Sequence, residues 1–418
     1  MRIVILIITL SVLLKVANLD NYPSSLPSTS PSIEQALKYI KEIEAETIEE
    51  QIKLCQIPAP TFREERRAAY MKKRFQELEL KNVRIDEVGN VLGERPGLSS
   101  NPTLVLTAHL DTVFPEGTNV TVTRNGSLLR GPGIGDNCRG LAVILALART
   151  LKETQIQTGG TIIFVAVVGE EGLGDLRGTR HLIDHELKGR ITHFISIDNA
   201  GLRIVNGAVG SYRYRVTFSG PGGHSYQAFG LANPIHALGR AIEKISRMKV
   251  PERPKTTFNV GRIEGGTSIN SIAQAATMEV DLRSESASEL AKLDGEFKKD
   301  VQAALDEENS FWQDQRKLKV DVHLTGFRPT GGQASEAPIV KAALSADAEL
   351  GIKSELTSSS TDANIPISLG IPAITLGGGG NGEMSHSLTE TFDTTNAHLG
   401  TQRALLLILK IVAVQGTS

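Results

Sequence analysis

The feature that most constrains this chain is a set of apolar, β-branched segments, each running into residues that can bind a metal or move a proton. Residues 103–109 end in His109, with Asp111 two positions on; residues 161–168 run into Gly169-Glu170-Glu171-Gly172. Residues 193–197 stop at Asp198, and residues 371–376 lead through four glycines toward His386. Short apolar runs of this make-up read as buried strands. Between them, residues 141–151 carry a helical pattern. So does the stretch from Ser32 to Leu80, with Ile33, Leu37, Ile40 and Ile43 on one stripe and a second helix over residues 64–78. Residues 82–88 read as a strand. Strands alternating with helices predict a mostly parallel sheet flanked by helices, an α/β domain whose functional residues gather beyond the carboxyl ends of the strands.

The pattern changes after Gly210. Tyr212, Tyr214, Val216 and Phe218 alternate as a half-buried strand does. A helix over 234–246, strands over 256–264 and 276–283, a helix over 289–305 and a strand over 317–324 follow. That order is the split βαβ, or ferredoxin-like, arrangement of an α+β domain. It predicts an inserted domain over 207–325, interrupting a larger domain formed by 32–206 and 326–418. A length of 418 residues accommodates both units. The larger domain resumes with a helix over 338–350.

Residues 1–31 stand apart. A basic start at Arg2, an apolar run from Ile3 to Leu14 and a Pro- and Ser-rich exit read as a signal or anchor segment with its spacer, so that the protein is exported or held at a membrane. Cys55 and Cys138 are the only cysteines and make no disulfide framework. The formal net charge is −2 and no long basic run occurs, which leaves no footprint for nucleic acid.

The loop Gly131-Pro132-Gly133-Ile134-Gly135 delivers Asp136 just before a helix. Its glycines do not make a phosphate cradle, because Pro132 interrupts them and the Asp136 charge would repel a phosphate. Two imidazoles and several carboxylates at one edge of a sheet suit zinc or a similar divalent ion. A carboxylate shared by two ions sets them about 3.5–4 Å apart, the spacing of hydrolytic two-metal sites. In the tandem Glu170-Glu171, one carboxylate can bind metal while the other takes a proton from water. Each feature alone is commonplace; their conjunction in one chain points to chemistry.

With these motifs the chain resembles the M20 metallopeptidase family, which includes glutamate carboxypeptidases, tripeptidase-like enzymes, aminoacylases and succinyl-diaminopimelate desuccinylases. The matching segments are residues 108–113, Gly135-Asp136-Asn137-Cys138-Arg139-Gly140, Gly169-Glu170-Glu171-Gly172, Ser196-Ile197-Asp198, Gly222-Gly223-His224-Ser225, Asp281-Leu282-Arg283 and Ser385-His386-Ser387. The resemblance implies two divalent metal ions, zinc with cobalt or manganese as alternatives. Asp136 would bridge them, His109 and Asp198 would complete one site, and Glu171 and His386 the other. Glu170 would be the general base, and Asp111 would hydrogen-bond the His109 imidazole. His224 would polarise the scissile carbonyl, often across a dimer interface in the family, with Asn270 as its helper. Arg283 and Arg328 are candidates for gripping a substrate carboxylate. The inserted domain would serve as a lid and as the platform for a homodimer.

A cis peptide is expected between Asp136 and Asn137. The segment from Ser358 to Asn364 departs from the family's Gly-Gly-Thr-Asp pattern by lacking its glycines. The reaction implied is hydrolysis of a peptide bond in small peptides. An N-acyl amino acid deacylase is the nearest alternative, and a non-catalytic metal- or peptide-binding module is the alternative of another class.

Overall fold

The computed structural model describes residues 31–353 and 355–413. The signal-or-anchor reading of residues 1–31 falls outside them except for Pro31, which opens a helix. No helix among the described residues is long and apolar enough to cross a membrane.

A nine-stranded sheet forms the centre. Its middle four strands, in spatial order Thr161–Val167, Thr103–His109, His193–Ile197 and Ala373–Leu376, are parallel. Every residue of these four is buried. That is the requirement of a parallel sheet covered on both faces, and it explains why the segments read as unbroken apolar runs rather than as alternation. The helix Cys138–Glu153 is buried along nearly its whole length, and His398–Val412 packs with it in the same core. Each fully buried Leu, Ile, Val or Phe here contributes about 1.5–3 kcal/mol.

The register brings the catalytically interesting ends together. His109 pairs with Val167, and Thr107 pairs with Ser196, which in turn pairs with Thr375. The residues following these strands therefore emerge at one edge.

The glycine run 377–380 has a packing role. Gly379 has φ +86°, and a Cβ there would lie 2.2 Å from the Ala397 carbonyl oxygen. Only glycine lets this loop pass the start of the helix His398–Val412.

Residues Gly210 to Arg328 carry a second, four-stranded antiparallel sheet in the order Thr256–Gly265, Ala275–Ser284, Gly210–Ser219, Lys319–Arg328. Helices Pro234–Ser246 and Ala287–Phe311 pack on it around a separate core that includes Phe218, Met278, Leu282, Leu293 and Phe297. This is the strand–helix–strand–strand–helix–strand order expected. Asn233 and Ser286 cap the two helices, their side chains accepting from the amides of Ile235 and Glu289.

Several elements escape the pattern reading. The helical stretch before residue 80 holds three helices, Pro31–Glu42, Glu44–Cys55 and Glu65–Glu77. The strand expected over 82–88 is Lys81–Ile85, and it turns into a second strand, Val91–Arg95. A small antiparallel sheet of Asn381–Glu383, Thr391–Asp393, Leu128–Arg130 and Thr123–Asn125 joins two distant parts of the chain. Its strands of three residues are too short to leave a periodic signal.

Candidate metal centre

Five side chains from five segments meet at the carboxyl edge of the central sheet. His109, the last residue of its strand, places Nε2 3.0 Å from Asp136 Oδ1 and 3.5 Å from Asp198 Oδ1. The other oxygen of Asp136, Oδ2, lies 3.4 Å from His386 Nε2, which is itself 3.1 Å from Glu171 Oε1. Asp136 thus stands between the two imidazoles, one oxygen toward each. The ligand atoms of His109, Asp136 and Asp198 lie within 4.8 Å of one another, as do those of Asp136, Glu171 and His386. The triplet His109, Glu170 and Glu171 meets the same criterion. All five expected ligands are brought together.

The loop holding Asp136 is anchored from several sides. Glu390 accepts hydrogen bonds from the amides of Gly133, Gly135 and Asp136 at 2.9, 2.8 and 3.0 Å. Gln51 and Cys55 donate to the carbonyls of Ile134 and Pro132. The peptide between Asp136 and Asn137 is cis, as expected. Asn137 then caps the helix that follows, accepting from Gly140 N, and its amide nitrogen donates to Ile197 O, tying the Asp136 loop to the strand that delivers Asp198. Cys138 is buried and belongs to none of the ligand groups. Glu390 was not singled out from the sequence. Its position four residues after His386 was the available signal, but a lone glutamate between short strands looks like surface. Burial pushes its carboxyl up to about 7 against the pull of its three amide donors.

Asp111 differs from the expectation in one respect. The His109 ring is held through Nδ1, 3.0 Å from the main-chain carbonyl of Asp111, whereas the nearest carboxylate oxygen of Asp111 is 3.6 Å away. That carboxylate instead accepts from the amides of Glu170 and Glu171, both at 3.0 Å, and from Thr61 Oγ1 at 2.9 Å. It organises the turn that presents both glutamates. The reason is geometric: a buried carboxylate two residues beyond the strand end finds two free amides of the neighbouring turn closer than the ring.

Glu170 and Glu171 point to different partners. Glu171 faces His386. Glu170 Oε1 accepts from Arg328 Nη1 at 2.9 Å, and Arg328 Nη2 donates to the Glu170 carbonyl. Arg328 also donates to Ser360 Oγ at 3.0 Å. Arg328, a candidate for gripping a substrate carboxylate, lines the cleft but is buried and bonded to Glu170. Burial raises the Glu170 carboxyl well above the usual range, and Arg328 opposes that rise without cancelling it. The contacts with Asp136 and Glu171 raise His386 to about 10.

Arg283 borders the same cleft, of about 430 Å³, with Arg203, Arg213 and Arg328. His224 and Asn270 do not. They lie together on a separate hollow of the four-stranded domain, where the short strands Gly223–His224 and Ser271–Ile272 pair. The amides of Tyr226 and Gln227 donate to Nδ1 of the exposed His224.

The donor set fits a pair of divalent cations. Asp136, Glu171 and Asp198 are all more than nine-tenths buried, and the two imidazoles alone do not offset three clustered carboxylates. Cations between buried carboxylates packed this closely would offset their mutual repulsion and the cost of burying them. Nitrogen and oxygen donors with one shared carboxylate are the make-up of hydrolytic dinuclear sites.

Comparison with known proteins agrees with this geometry. The chain is 28% identical over 348 residues to the uncharacterized protein YqjE of Bacillus subtilis, covering 80% of this chain and 90% of that one. It superposes on a tripeptidase from Staphylococcus aureus with a TM-score of 0.73 at 26% identity, covering 88% and 98% of the two chains. It shares the fold of the Bacillus subtilis YXEP protein, a dinuclear metal-binding peptidase, with a TM-score of 0.66 at 18% identity over 89% and 99% of the chains. Residues 105–410 match the family model described as peptidase family M20/M25/M40. That span contains every residue of the centre and most of the chain, and the protein belongs to the M20 peptidase family.

Proposed function

We propose that the protein hydrolyses the peptide bond of small peptides, using two divalent metal ions, zinc in the first instance, and Glu170 as general base. The observation that carries this reading is Asp136 set between His109 and His386, with the Arg328-paired Glu170 at the edge of the same cluster. His109, Asp136 and Asp198 would hold one ion, and Asp136, Glu171 and His386 the other. When bound, such ions supply an activated water and a Lewis acid for the carbonyl.

The chain's own residues do the rest. Arg328 holds Glu170 through Oε1, while Oε2 has no hydrogen-bond partner among the described residues and is the oxygen that accepts the proton from water. Burial raises the basicity of that carboxylate toward what a base working near neutrality needs. Glu170 then returns the proton to the leaving nitrogen. Asp111 fixes the turn that presents the two glutamates by accepting from both their amides. His224 and Asn270 lie outside the cleft, so in this reading they reach substrate by closure of the four-stranded domain or from a second copy of the chain.

The test is turnover by metal-reconstituted protein of a panel of di- and tripeptides beside N-acetyl and N-succinyl amino acids. Cleavage of peptides supports the reading. Cleavage of the acyl amino acids alone makes the protein a deacylase, and cleavage of neither leaves a metal-binding module.

A further inference from the structure

The strand Lys319–Arg328 is the outer strand of the four-stranded sheet, so the backbone groups on its free side need partners elsewhere. Its pairing with Gly210–Ser219 shifts by one residue between Leu324 and Gly326, a bulge that re-aims the strand end. At that end, both backbone groups of Phe327 are met by one segment of the larger domain. The Phe327 amide donates to Asp175 Oδ2 at 3.1 Å, and the Phe327 carbonyl accepts from Arg180 Nη2. Arg180 also donates through Nε to the Asp175 carbonyl at 3.0 Å and lies 3.5 Å from Asp175 Oδ2, so the two side chains act as one clamp. Gly326 permits the close approach, since a Cβ there would lie 3.1 Å from Asp175 Oδ1.

The clamp ties together the two partners of a buried pair. Asp175 closely follows Glu170-Glu171 along the chain, and Phe327 directly precedes Arg328. Asp175 and Leu176 both hold left-handed backbone, with φ of 51° and 61°, a conformation kept by such residues only where their surroundings fix it. Burial works against the Arg328 cation, and the carboxylates of Glu170 and Asp175 hold it. An arginine at the end of an outer strand has a long, rotatable side chain, and fixing the backbone one residue earlier sets where its guanidinium reaches.

Resting on the hydrolase reading, we infer that Asp175 and Arg180 are positioning residues for the reaction: by clamping both backbone groups of Phe327, they fix Arg328 against Glu170.

Steady-state kinetics on a peptide that the wild type cleaves tests this. In D175A kcat falls about 10–100-fold, the cost of a small misplacement near the chemistry, while KM stays within about twofold, since neither clamp residue lines the cleft. D175N keeps an oxygen to accept from the Phe327 amide and recovers most of kcat. Added to R328M, D175A costs nothing further, because its effect runs through Arg328. An unchanged kcat in D175A, or a loss that multiplies with that of R328M, overturns the inference. R180M removes the other half of the clamp at a more exposed position and is read in the same way should D175A not fold. A wild type that cleaves no peptide sinks the hydrolase reading instead. The clamp is then read by hydrogen exchange: faster exchange of the Arg328 amide in D175A upholds it, and unchanged exchange overturns it.

Discussion

Arg328 lies against Glu170 with Nη1 2.9 Å from Oε1, both side chains buried, so the proposed base is held by a cation delivered from the far end of the four-stranded sheet. The strand Lys319–Arg328 ends in this residue, and its other end belongs to the neighbouring domain. The pair couples the two sheets at the cleft. A buried pair of this kind contributes more when intact than its net energy implies, because removing one partner leaves the other charged and unsolvated.

Replacing Arg328 by Met should therefore cost about 3–5 kcal/mol of stability. It should also move the acid limb of kcat/KM to higher pH, since Arg328 is the group that holds the Glu170 carboxyl down. Thermal unfolding and a pH–rate profile measure the two effects. An unmoved acid limb would show that Arg328 does not tune the base.

Glu170→Gln preserves shape and removes the proton acceptor. Both metal ions should stay, read by elemental analysis, while kcat drops by about 10²–10⁴-fold or more. Near-normal turnover in this variant would assign the base elsewhere.

Asp136 and His386 should separate by metal stoichiometry. Asp136→Ala removes one oxygen from each ligand group and should abolish binding of both ions, whereas His386→Ala touches only one group and should leave the ion held by His109 and Asp198. Equal loss in both variants would contradict the shared role of Asp136.

Glu390 accepts hydrogen bonds from three backbone amides of the Asp136 loop, those of Gly133, Gly135 and Asp136. Glu390→Ala should weaken metal affinity by about 10–100-fold, the usual effect of removing a group that orients a ligand. Titration calorimetry with zinc checks it, and unchanged affinity would make Glu390 a purely structural residue.

His193 opens a central strand and is 1% exposed. Burial lowers its imidazole to about 4 from an ordinary value of 6.5. The unfolded chain takes up the proton first, so the stability His193 confers is complete above about pH 6.5 and is lost as the pH falls to about 4. The full loss is about 3 kcal/mol, at about 1.4 kcal/mol for each tenfold change in acidity. Urea melts between pH 7 and 4 should show this slope, flattened in His193→Gln.

The strand-end chemistry was legible because parallel strands buried on both faces must be continuously apolar, so His109, Glu170, Glu171 and Asp198 stand out where each run stops. The split βαβ order was legible for the complementary reason, since the strand Gly210–Ser219 buries one face and alternates. Glu390 and the small sheet around it were not legible. Strands of three residues carry no period, and their pairing of residue 130 with 391 depends on contacts across most of the chain.

What the sequence by itself determined is therefore the fold class, written in local pattern, and the strand-end histidines and carboxylates that the structure brings together as candidate ligands. Only the tertiary structure decided the partners: that Arg328 pairs with Glu170, that the Asp111 carboxylate holds two amides rather than the imidazole, and that the Arg203 Nε is buried without a partner. Hydrogen bonds and ion pairs form between whichever groups folding brings within about 3 Å, and no spacing along the chain encodes that distance.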